Sequence, residues 1–120
     1  MFLVLKKTPK QINDTNSGLC ERISFKDKEE FINALHAELG PVICKVRHPT
    51  IDNVIICYSQ NSKAIGNFRL SYSGDWLHGA VYFVKSNGEQ LTEELCNKII
   101  SSIKRYIITK EYIAGAKNGN

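Results

Sequence analysis

No apolar run in this sequence exceeds five residues, as at 54–58 and 80–84. A membrane-crossing helix needs about 20 consecutive apolar residues, so no membrane partner is expected. The apolar start, 1–5, is too short for a secretory signal and has no basic segment before it. Paired cysteine motifs are missing as well. Cys20, Cys44, Cys57 and Cys96 form no CxxC, and His36, His48 and His78 form neither HxxxH nor HExxH. The usual zinc and redox frameworks are therefore excluded, and neither metal nor cofactor is expected. Three of the four thiols fall in apolar patterns, where a free cysteine behaves as a small hydrophobe. The expectation is reduced cysteines and a cytoplasmic location. Gly74, Gly79 and Gly88 are not arranged in a strand-to-helix turn, so no phosphate-cradling loop is predicted.

Excess charge is also scarce. The net charge is +4, too little by itself to mark a nucleic-acid binder. Its distribution says more, because the bases gather at the ends: Lys6, Lys7 and Lys10 near one, Lys98, Lys104, Arg105, Lys110 and Lys117 near the other.

What remains is the composition of an ordinary folded chain. The 120 residues suit one domain, able to bury roughly two thirds of its unfolded surface. The organising stretch is 67–84, which reads as a β-hairpin. Phe68, Leu70 and Tyr72 alternate with Arg69, Ser71 and Ser73, and Ser73-Gly74-Asp75 makes the turn. Residues 76–84 return, with Leu77, Val81 and Phe83 on one side and Trp76, His78, Ala80, Tyr82 and Val84 on the other.

Along the rest of the chain, 2–5 predicts a short strand and 6–18 a loop or mobile arm. Ile23 and Phe25 extend a strand into the first helix. That helix has Asp27 as N-cap, Glu30 as capping-box partner and Gly40-Pro41 as its stop, with Phe31, Ile32, Ala34, Leu35 and Leu39 on one arc. In 42–48, Val42, Cys44 and Val46 face one way and Ile43, Lys45 and Arg47 the other. Residues 54–59, apolar on both sides, suit a central strand. A second helix begins near Thr92, its apolar face carrying Leu95, Cys96, Ile99, Ile100, Ile103, Tyr106 and Ile107. Residues 114–120 read as a frayed tail. The predicted architecture is α+β, in the order β-α-β-β-β-β-α. It has a four-stranded antiparallel meander with both helices packed on one face.

Catalytic constellations are weak. Cys44 and His48 on one strand would stand roughly 13 Å apart, too far for a nucleophile and its base. The pairs Glu29/Glu30 and Glu93/Glu94 are explained by capping and the helix dipole. The face predicted to lie away from the helices carries Lys45, Arg47, Arg69, His78 and Tyr82. These residues are the candidate binding set. They point to a small non-enzymatic macromolecule-binding protein of the immunity or inhibitor type, meeting a protein partner with an acidic surface. The alternative is an RNA-binding module or small ribonuclease using the same basic face.

Overall fold

The structure, a computed structural model, describes residues 1–11, 19–60, 66–69, 77–105, 108–109 and 111–112. Its elements in chain order are β1 (Phe2–Lys7), β2 (Lys10–Gln11), β3 (Cys20–Phe25), α1 (Lys28–Leu39), β4 (Ile43–Arg47), β5 (Val54–Ser59), β6 (Gly66–Arg69), β7 (Leu77–His78), β8 (Val81–Lys85), α2 (Glu93–Arg105), β9 (Ile108–Thr109) and β10 (Glu111–Tyr112).

The fold is α+β with a five-stranded antiparallel sheet in the order β3-β1-β8-β5-β4. The meander was expected to have four strands; β1 and β3 join it, while β6 and β7 leave it. The N-terminal strand runs on to Lys7, and Lys10–Gln11 pairs with β10, so the predicted loop 6–18 holds strand at both places. Residues 12–18, 114–120, and 106–107 of the predicted second helix face, lie outside the described residues.

Both helices form where their end signals place them. Asp27 Oδ1 accepts from the Glu30 amide at 2.9 Å, and the Glu30 carboxylate accepts from the Lys26 amide at 2.5 Å. The first bond satisfies a donor that the first turn leaves open, and the second ties the backbone just before the cap to the helix. Gly40 ends α1 at φ 96, its amide bonding the His36 carbonyl at 2.9 Å. That left-handed backbone is open to glycine at no steric cost. Thr92 caps α2 through Oγ1, which accepts from the Leu95 amide at 3.2 Å.

The helices cover opposite faces, which corrects the expectation that both lie on one. On the α2 face, Leu5, Phe83, Ile56 and Val46 stand in one row across four strands. Leu5, Phe83 and Ile56 are fully buried with Cys96 and Ile99 of the helix. On the α1 face, Phe2, Val4, Cys57 and Tyr82 pack under Phe31, Leu35 and Leu39. Ile32, predicted on the buried arc, is exposed.

Among the described residues, the organising hairpin divides between two sheets. Gly66–Arg69 pairs with Leu77–His78, as expected for antiparallel limbs, but in a separate sheet of order β7-β6-β9. Gly79, at φ 73, splits the returning limb, and Val81–Lys85 continues in the larger sheet between β1 and β5. A left-handed residue breaks the strand and redirects the chain. Residues 70–76, including Trp76, lie outside the described residues.

Candidate binding groove

Side chains alternate along each strand, so register decides which residues share a face. Lys6, Tyr82, Cys57 and Lys45 form one row across β1, β8, β5 and β4, and Val84, Ile55 and Arg47 form the next. Lys45, Arg47 and Tyr82 therefore lie on one face, as the sequence pattern predicted. That face is not clear of the helices, however. α1 lies on it and covers Tyr82, which is 3 % exposed and cannot be a surface ring. Arg69 and His78 belong to β6 and β7, in the three-stranded sheet, and so do not share the sheet face that carries Lys45, Arg47 and Tyr82.

Tyr82 has a structural role instead. Its hydroxyl donates to Glu38 on α1, and the other carboxylate oxygen of Glu38 meets Lys6 Nζ at 2.8 Å. Lys6 Nζ also stands 5.7 Å from the centre of the Tyr82 ring. Burial, and then the bond to Glu38 and its charge, hold the phenol well above its ordinary range. These contacts fasten the C-terminal half of α1 to the sheet. Tyr82→Phe should lower stability by about 1 kcal/mol in a denaturant titration, the net worth of one hydrogen bond. The loss stays modest because Glu38, partly exposed, can be rehydrated. An unchanged midpoint would contradict this role.

α1 leaves the β4 side of the sheet partly uncovered. The result is an open groove of about 980 Å³, floored by apolar groups including Ile55, Cys57 and Val84. Phe31, Ile32 and Leu35 of α1 form one wall and Lys45 and Arg47 of β4 the other, while residues 51–53 and 85–88 lie at its end. Four cations line it, Lys28, Lys45, Arg47 and Lys85, against one carboxylate, Asp52. Lys85 is engaged by Glu89 at 3.3 Å. Lys28, Lys45 and Arg47 are exposed and have no acidic partner among the described residues. Lys28 escaped the sequence reading, although it shares a helix face with Phe31 and Leu35 at spacings of three and seven. Lys85 had no local signal, since only the fold brings the end of β8 to this groove.

Beside the groove, His48 in the turn following β4 touches Ser102 of α2, and the polarity of that contact is informative. His48 Nε2 lies 2.8 Å from Ser102 Oγ, while Nδ1 accepts from the amides of Thr50 at 3.1 Å and Ile51 at 3.0 Å. Two donors on Nδ1 assign the proton to Nε2, which donates to Ser102. The Ser102 hydroxyl in turn donates to the Ile99 carbonyl at 2.6 Å. A serine nucleophile needs a histidine lone pair facing its hydroxyl; this histidine faces it with a proton. Both side chains are buried, and the pair locks the turn to α2.

All four cysteines are free. Burial raises the thiols of Cys20 and Cys57 to about 11 and raises Cys96 as well, the opposite of what a reactive thiolate needs. Among the described residues, no three of His, Cys, Asp and Glu converge as metal ligands, and no helix is long and apolar enough to cross a membrane. Comparisons with protein-family models, curated proteins and solved structures found no match.

Proposed function

We propose that this chain is a non-enzymatic binding protein that holds an acidic protein partner in the groove between α1 and β4. The observation that carries this reading is the trio Lys28, Lys45 and Arg47, which lacks acidic partners among the described residues and flanks an apolar floor. Cations on a helix and a strand have their backbone already positioned, so little backbone order is lost when a partner arrives. Opposite charge supplies steering and register, and the apolar floor supplies area to bury.

A protein suits the groove better than a single-stranded nucleic acid. Binding a single strand normally uses exposed aromatic rings as stacking platforms. The rings lining this groove, Phe2 and Phe31, are 8 % and 3 % exposed and packed against each other.

The test compares the wild type with the double variant Lys45→Glu, Arg47→Glu, using a glutamate-rich peptide and a single-stranded RNA of equal charge. Folding should change by no more than about 0.5 kcal/mol, as for most exposed substitutions. Peptide affinity should fall about tenfold, equivalent to about 1.4 kcal/mol, and the difference should shrink as salt is raised. Tighter binding of the RNA than of the peptide at the same ionic strength would overturn the reading. Equal peptide binding by both proteins would do so too.

A further inference from the structure

The groove has one wall made of a sheet edge. β4 ends the order β3-β1-β8-β5-β4 and pairs on one side with β5; among the described residues, nothing pairs with its other side. An unpaired edge offers a row of backbone donors and acceptors to an incoming strand. We infer that the partner's segment adds to β4 as a sixth strand, and that it alternates acidic and apolar residues. This rests on the proposed acidic partner: the segment lies along the outer side of β4 at the rim of the groove, with its carboxylates on the groove face of the sheet beside Lys45 and Arg47.

The alternation follows from β4 itself. Lys45 and Arg47 face the groove, two residues or roughly 6.7 Å apart along the strand. Cys44 and Val46, half-buried, face the α2 side, and Val42, just before the strand, is 53 % exposed. A paired strand sets its side chains directly opposite these, about 4.5–5.5 Å between Cβ atoms. Carboxylates at every second position meet Lys45 and Arg47, while the apolar residues between them extend the surface of Cys44 and Val46. A second copy of this chain is a poor occupant. Antiparallel pairing of two β4 strands would set Lys45 and Arg47 against like charges, which is destabilising. On the other edge strand, β3, Arg22 is already engaged by Glu93 at 2.9 Å and Asn97 at 2.6 Å and offers no free charge to an acidic strand.

The experiment uses the full chain and three peptides of one composition. The first alternates glutamate and valine, the second has all glutamates before all valines, and the third is the alternating peptide N-methylated at every residue. The alternating peptide should bind and slow amide hydrogen exchange within Ile43–Arg47. The block peptide should bind more weakly. The N-methylated one, which keeps every charge but donates no backbone hydrogen bond, should bind roughly tenfold more weakly or worse, as for the loss of two or more hydrogen bonds. If all three bind alike, or β4 exchange is unaffected, the strand-addition inference fails while the acidic-groove reading stands. If none binds the folded chain, both fail.

Discussion

Replacing Phe83 with alanine is expected to lower the unfolding free energy by about 3–5 kcal/mol, the range for large aromatic truncations in cores. The ring is 0 % exposed. It stands mid-sheet, between Leu5 of β1 and Ile56 of β5 in register, in the cluster that α2 covers with Cys96 and Ile99. Strands on both sides fix its backbone, so the surroundings can collapse only partly into the space left behind. A stability of 5–15 kcal/mol is usual for a folded chain, so the loss is a large part of the total. A guanidinium titration followed by far-ultraviolet circular dichroism reads it directly. A loss under about 1 kcal/mol, the size of an ordinary substitution, would mean that Phe83 does not stand at the centre of this core. Val46→Ala is the internal comparison: it occupies the same row at the sheet's edge, is only half-buried, and should cost distinctly less.

The α+β class was legible because both helices announce their ends and the strands alternate. Asp27, Glu30 and Gly40 bracket α1, and Thr92 opens α2, within the local reach of capping chemistry. The layering departs from the expectation, although the sequence carries a signal for it. Residues 54–58 and 80–84 are apolar on both sides, and a strand buried on both faces needs cover on both. Two helices on one side would have left Cys57 and Tyr82 against water. The break at Gly79 was also visible as a residue, but its consequence was not. Whether a glycine bends a strand or hands it to another sheet depends on which edges are vacant, and that is set by β1, more than 70 residues away.

The candidate site divides along the same line. Lys45 and Arg47 share a face by the period of one strand, and Tyr82 joins them through cross-strand register. Arg69 and His78 join them only if the hairpin runs in one continuous sheet. When that sheet divides, they leave the set. Charge alone also could not separate Tyr82, covered by α1, from Lys45, which α1 leaves open.

The second large effect belongs to His48, and it depends on pH. The ring is 6 % exposed and neutral, and burial lowers its pKa from the ordinary 6.5. Protonation must add a hydrogen at Nδ1, where the Thr50 and Ile51 amides already donate, so the added proton meets two donors. The unfolded chain, with a freely hydrated histidine, binds that proton more readily. As pH falls through the ordinary histidine value, the unfolded state takes up more protons than the folded one, and stability declines. The decline stops growing once pH is below the folded value. His48→Gln removes the titrating group; with two backbone donors and Ser102 imperfectly matched, it should cost about 1–3 kcal/mol at neutral pH. The variant should also lose less further stability than the wild type between pH 7 and pH 5, a window around the ordinary histidine value. Parallel stability curves for the two proteins across that window would refute the assignment. The turn that His48 organises also reaches the groove, since Ile51, Asp52 and Asn53 line its end. Opening of this turn in acid should therefore weaken peptide binding at the same pH at which stability begins to fall, and His48→Gln should separate the two proteins in both measurements.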